Sequence, residues 1–357
     1  MSQTHCFPVF PQVRRCFWLA LPACALWFLI VVPGAAAELR VLAPSADCRE
    51  QPERQRYCDL ARAIVASNRN PGEDVIQLAP DAIYTLSRID HEAEGGNALP
   101  AVVDTLTVLG NGATLQRGDA PGTPLFRLLR VAKGGALSLK QLRMRNGATG
   151  RGFDGAAIWS TGTLALSECT LEDNQSGDDG GAIRSDGVLR IHDSVLRKNS
   201  ARGRGGVGGA IQTHSQFGAA DTLIARTALE NNEAWAGGGA LWLLGSTALD
   251  RVTLTGNRAG DRGGAVMNYG DLKLDQVNIT GNQAVVTGGG LFTYGPARLI
   301  DSMVIGNHAM IASDCEGAVL ASASSQIGNT YRCDRQLPPL EEAAASARSR
   351  PAPASAR

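Results

Sequence analysis

The stretch 257–282, NRAGDRGGAVMNYGDLKLDQVNITGN, holds one complete period of the chain. An asparagine opens and closes it, Gly263-Gly264-Ala265 precedes Val266, and Gly270 follows four residues later. Leu272 and Leu274 alternate with charged residues, and Ile279 stands three residues before Asn282. Runs this short between glycines leave no room for a helical pattern, so the alternation reads as strand. The same triad recurs outward in both directions: Leu171 to Asn174, Leu196 to Asn199, Leu229 to Asn232, Leu254 to Asn257, Ile279 to Asn282 and Val304 to Asn307. The asparagine spacings are 25, 33, 25, 25 and 25.

A second column, Ile183, Leu241, Val266 and Leu291, follows Asn174, Asn232, Asn257 and Asn282, and each member precedes a glycine by four residues. A third, Leu166, Ile191, Ile224, Leu249, Leu274 and Leu299, stands eight residues before the asparagines. A fixed short period with apolar residues in register means one unit stacked on copies of itself, because no unit can bury its face alone. The expected fold is all-β: a right-handed parallel β-helix with coils of about 25 residues. Like residues then stack at about 4.8 Å, so Asn174, Asn199, Asn232, Asn257, Asn282 and Asn307 are expected to form an internal ladder that satisfies the turn backbone.

The GGAI at 180–183 and 208–211, GGAL at 238–241, GGAV at 263–266 and the L-x-x-N triads resemble the repeats of polymorphic outer membrane proteins, with leucine in place of that family's phenylalanine. Cys58-Asp59-Leu60-Ala61-Arg62-Ala63, Asn70-Pro71-Gly72 and Gly110-Asn111-Gly112-Ala113-Thr114 resemble the CSLREA-type region that precedes such helices in bacterial secreted proteins. Across roughly residues 48–333 the resemblance implies a pectin-lyase-like β-helix and export. It says little about activity, since such folds include adhesin-like passengers as well as polysaccharide lyases.

Arg14 and Arg15 precede an apolar run from Phe17 to Val32, and Ala35-Ala36-Ala37 offers a cleavage site, so residues 1–37 read as a signal peptide. An uncleaved anchor competes with this reading, but the run is short for a membrane span and Pro22 interrupts it. No transmembrane domain is expected after removal of the leader, and the destination is periplasmic, outer-membrane-associated or extracellular. Residues 38–103 read as an N-terminal cap with the first strands, 104–333 as the repeats, and 334–357, rich in Ala, Pro, Arg and Ser, as a disordered tail. Within the cap, Cys58 to Asn68 reads as an amphipathic helix with Leu60, Ile64 and Val65 on one face.

In an oxidising compartment Cys48 pairs with Cys58 and Cys315 with Cys333, each closing a short loop, while Cys169 falls in a column of small inward residues and is expected to be buried and inert. No thiol spacing suggests zinc. Lys plus Arg equals Asp plus Glu at 34 each, so no overall field favours nucleic acid.

Chemistry is expected at two departures from the repeat. The 33-residue coil carries insertions after Asn199 and after Ile211, which should leave the coil as loops. They contain Arg202 and Arg204, then His214, Gln216 and Phe217; neighbouring coils bring Asp178 and Asp179, and Trp235, Asp261 and Arg262, to that corner. The second departure is an outward row of Trp242, Met267 and Phe292 flanked by Leu244, Tyr269 and Tyr294, an apolar and aromatic patch suited to sugar rings or a protein. The reading is a non-catalytic, adhesin-like binding or scaffold protein whose partner is a glycan or a host or cell-surface protein. The alternative is a polysaccharide lyase or hydrolase. No cofactor is implied; a lyase would need calcium, for which the sequence offers no dedicated ligand set.

Overall fold

The computed structural model describes residues 36–42, 56–57, 59–92, 94–214, 221–331, 333 and 335–336. Residues 1–35 of the signal segment, Cys48, Cys58, Gln216, Phe217 and nearly all of the tail lie outside the described residues. The chain is an all-β, right-handed parallel solenoid of about 8 turns. Three parallel sheets run along it, and a full coil visits each in order. Taking the coil from Leu241, the main sheet receives Leu241–Leu243 and Ser246–Asp250, the second sheet Thr253–Thr255, and the third Arg258–Ala259. Each strand pairs in parallel with its counterpart one coil away.

The inward columns are where the alternation places them. Leu166, Ile191, Ile224, Leu249, Leu274 and Leu299 are buried, as are Leu171, Leu196, Leu229, Leu254, Ile279 and Val304. Burying such a side chain contributes roughly 1.5–3 kcal/mol, and stacking repeats the gain at each coil. The asparagine side chains bond from coil to coil: Asn257 Nδ2 donates to Asn282 Oδ1 at 2.9 Å and to the Leu229 carbonyl at 2.9 Å, and its backbone N–H donates to the same Asn282 Oδ1. Asn199 and Asn232 are joined in the same way across the 33-residue spacing, so the insertions leave the coil undisturbed.

An aspartate ends the ladder. Asn307 donates to Asp314 Oδ1 at 2.9 Å, and Asp314 Oδ2 accepts from the Asn329 N–H at 2.8 Å. A carboxylate suits this position because no further amide follows for it to donate to. The Cys315–Cys333 disulfide closes the same end. At the other end a helix, Leu60–Arg69, starts at Asp59, whose carboxylate accepts from the Ala61 N–H, and buries Leu60, Ala63, Ile64 and Ser67. Val65, expected on that face, is only half-buried; Ala63 and Ser67 complete it instead. Parallel pairing already begins at Glu38–Val41, which lies beside Glu73–Leu78. Cys169 is buried and free; burial raises its thiol pKa, which keeps it protonated and unreactive.

Candidate functional site

The first main-sheet strand of each coil turns one residue outward between two buried ones. The register joins these residues into one column: Arg130, Trp159, Arg184, Gln212, Trp242, Met267 and Phe292. Two residues further along each strand lies a parallel column that runs through Asp186, His214, Leu244, Tyr269 and Tyr294. The polar corner and the aromatic patch are therefore two ends of one continuous face.

The polar end is organised by Arg184. Its Nη1 lies 2.8 Å from Asp154 Oδ2 and 3.8 Å from Asp179 Oδ2, and its Nε 2.8 Å from Asp186 Oδ1. Asp186 also accepts from the Trp159 indole N–H at 2.9 Å. The guanidinium of Arg127 lies 5.0 Å from the Trp159 ring centroid and that of Arg130 5.1 Å from it. Arg127 is buried, donating to the Asp154 and Gly155 carbonyls and to Asn97 Oδ1, and burial lowers its pKa to about 10. Arg130 pairs with Glu94.

Asp179 accepts from the Gln212 amide at 2.8 Å and from the Val207 N–H at 2.9 Å. Burial, reinforced by Asp154 and Asp178, outweighs these bonds and lifts its pKa to about 6. Asp178 is raised too, by burial and then by Asp154. Three buried polar atoms on this end have no hydrogen-bond partner: Arg130 Nε, Gln212 Oε1 and His214 Nδ1. Leaving such a group unpaired costs about 1–3 kcal/mol; Arg262 Nε, at the aromatic end, is unpaired as well.

The aromatic end is smaller than expected. Met267 and Phe292 point out of the coil but are only 7% and 5% exposed. Arg262 covers Phe292, its guanidinium 5.3 Å from the ring centroid, and donates to the Tyr294 hydroxyl at 2.6 Å. Tyr269 and Tyr294 stay open at 38% and 55%, while Trp242 and Leu244 are half-buried. Tyr269 lies between Trp242 at 5.2 Å and Tyr294 at 4.8 Å, centroid to centroid. The middle ring thus presents an edge, because its faces are taken by its neighbours. The row of open ring faces expected for sugar stacking is not what the register produces.

Of the other expected residues, Arg202 and Arg204 are exposed, and no contact of their side chains joins them to the Arg184 cluster among the described residues. Trp235 lies on the third-sheet side and lines a separate groove with Arg258 and Val285. Among the described residues no group of three or more His, Cys, Asp or Glu is placed to hold a metal ion; the aspartates converge on Arg184 instead. Arg130, Asp154, Trp159, Arg184 and Gln212 were absent from the sequence expectation. Extending the outward column backward from Trp242 through the Gly-Gly-Ala triplets finds Gln212 and Arg184, and the degenerate Gly155-Ala156-Ala157 gives Trp159, but Arg130 and Asp154 carry no such signal.

No protein family matches the chain, and no curated protein matches it. The repeat resemblance to polymorphic outer membrane proteins and to the CSLREA-type region therefore rests on motifs alone. A solved structure similar to this one is the catalytic domain of a GH87 alpha-1,3-glucanase in complex with nigerose, at 11% identity and a TM-score of 0.32 over 82% of this chain and 69% of that one. A likeness that slight carries no functional argument.

Proposed function

We propose that the protein is an exported β-helix that binds a neutral glycan, without cleaving it, on the face running from Trp159 to Tyr294. The observation that carries this reading is the set of buried, unpartnered atoms Arg130 Nε, Gln212 Oε1 and His214 Nδ1 beside the exposed edge of an aromatic stack. One donor, one acceptor and one imidazole nitrogen that can serve as either, beside apolar rings, suit sugar hydroxyls, which both donate and accept. A uronate fits less well, since Asp154, Asp178, Asp179 and Asp186 would oppose its carboxylate. Export to an oxidising compartment agrees with the Cys315–Cys333 disulfide. Among the described residues no helix is long and apolar enough to cross a membrane.

The test is a glycan array probed with the mature protein and with Gln212→Leu, which keeps the volume and removes the amide. Wild type should bind neutral oligosaccharides, and the variant, still folded, should bind about tenfold more weakly. A folded Gln212→Leu protein with undiminished binding would sink the reading.

One observation favours hydrolysis as the second reading: Asp179, with its pKa raised to about 6, is poised to exchange a proton near neutral pH. New reducing ends released from an array ligand by wild type, and lost in Asp179→Asn, would replace binding with catalysis as the function.

A further inference from the structure

On the third sheet the residue three positions after each ladder asparagine also points outward, and successive coils place Trp235, Gly260 and Val285 there. Trp235 and Val285 are 54% and 55% exposed. Between them the rung is empty. A Cβ at Gly260 would collide with the Trp235 carbonyl oxygen, so the backbone itself keeps that position bare. Coils are spaced by about 4.8 Å, so the indole and the valine are roughly 9.6 Å apart at their roots. Subtracting van der Waals contact on both sides leaves space for one saturated ring.

The slot over Gly260 is part of a groove, open to solvent, whose volume is ≈ 730 Å³. Its rim is as informative as its walls. Glu233, Arg258 and Gln283 stand in one register column beside it, Asp261 lines it as well, and no hydrogen bond or ion pair engages the side chains of Glu233, Arg258 or Gln283 among the described residues. The groove therefore combines two apolar walls with acceptors, a cation and an amide at the edge. An aromatic side chain from a protein would fill the slot and leave that rim unused. A pyranose ring fills it with its C–H face and meets the rim with its hydroxyls.

We propose that the slot over Gly260 is a second glycan site, seating one pyranose ring of a neutral chain between Trp235 and Val285. It lies on a different sheet from the Trp159–Tyr294 face, so the two sites stand or fall separately. The experiment titrates the mature protein with cellohexaose, laminarihexaose and maltohexaose by calorimetry, using wild type, Trp235→Ala, Val285→Arg and Gln212→Leu. At least one hexaose should bind to wild type. Trp235→Ala should weaken that binding about fivefold to tenfold, and Val285→Arg, which fills the slot, should do at least as much.

Both changes are at exposed positions and should leave the melting temperature near that of wild type. Should Trp235→Ala fail to fold, Val285→Arg alone decides the matter. Binding lost in Gln212→Leu but kept in Trp235→Ala and Val285→Arg overturns this proposal and leaves the reading of the Trp159–Tyr294 face intact. Binding lost only in the Trp235 and Val285 variants supports it and counts against that face. No binding of any hexaose by wild type overturns it, as does capture of a protein at Trp235 in the absence of glycan binding.

Discussion

The polar and aromatic ends of the outer face belong to one sheet and one register, yet the side chains on them are engaged differently. At the aromatic end the rings meet one another, Tyr269 tilted against Trp242 and stacked on Tyr294, and Arg262 closes over Phe292 while its Nε finds no hydrogen-bond partner. At the polar end Arg184 is spread over three aspartates while Gln212 Oε1, His214 Nδ1 and Arg130 Nε stay unmet. A solenoid allows this division because the inward columns hold the coil and the outward ones are free to vary. The lesson is that rings placed on one outward column can occupy one another, so counting them overstates the surface left open.

The sharpest break of this comparison is a matched pair of arginine substitutions. Arg184→Ala leaves Asp154, Asp179 and Asp186 without their shared cation in a half-buried site, and should destabilise the fold by about 3 kcal/mol. Arg262→Ala removes a ring contact and one hydroxyl bond nearer to solvent, and should cost about 1 kcal/mol. Chemical denaturation of both variants reads the difference. Equal losses would mean that the two ends are not electrostatically distinct.

The ladder supplies the control, because it runs under both ends. Asn199→Ala lies beneath the polar end and Asn257→Ala beneath the aromatic end, and each strands buried backbone groups of the preceding coils: the Asn174 N–H and Leu171 carbonyl in the first, the Asn232 N–H and Leu229 carbonyl in the second. Each should cost around 2 kcal/mol, with the two agreeing to about 0.5 kcal/mol. A variant that melts like wild type would show that its asparagine does not hold the coil.

Proton linkage comes next in size. Asp179 titrates at about 6 in the fold, above the usual carboxylate value of 3.8. Between these values the folded state binds more protons than the unfolded one, so stability falls as pH rises from about 4 to about 6. The loss is on the order of 1–2 kcal/mol, complete above the folded pKa and absent below the unfolded one. Denaturation curves across that window should show the fall in wild type and a flatter profile in Asp179→Asn. A wild-type profile no steeper than that of the variant would remove the burial argument for the polar end. No counterpart is expected at the aromatic end, where burial raises the Tyr269 pKa from a value already above neutrality.

The interior was legible in the sequence because Leu, Ile, Val and Asn return to the same columns at each coil, and the stacked geometry demands like residues there. The Cys315–Cys333 bridge was legible from its spacing near the end of the repeats. The outer face was legible only in part. Trp242, Tyr269 and Tyr294 stood out at regular spacings, whereas Trp159, Arg184 and Gln212 share no residue type, and the 33-residue coil interrupts their count. The covering of Phe292 was hidden as well, since it depends on Arg262, a turn residue that strand alternation does not address.

The smallest effect concerns the corner just before each ladder asparagine, where the backbone is left-handed at every coil from 173 to 306. Under the polar end that corner is held by Asp173, Lys198 and Asn231, with φ of 55°, 53° and 52°. Under the aromatic end it is held by Gly256, Gly281 and Gly306, with φ of 68°, 65° and 68°. A residue with a Cβ pays roughly 1–2 kcal/mol in that region, and glycine offsets part of this gain with about 0.5–1 kcal/mol of extra unfolded-state entropy. Lys198→Gly should therefore stabilise the protein by about 0.5 kcal/mol. Gly281→Ala is the reverse test, and a clean one, since a Cβ there would meet nothing within 4 Å and only the backbone preference is at stake. It should destabilise by about 0.5–1 kcal/mol. If calorimetry finds Gly281→Ala neutral and Lys198→Gly destabilising, the corner tolerates side chains at no cost, and the difference between the two ends is confined to their outward columns.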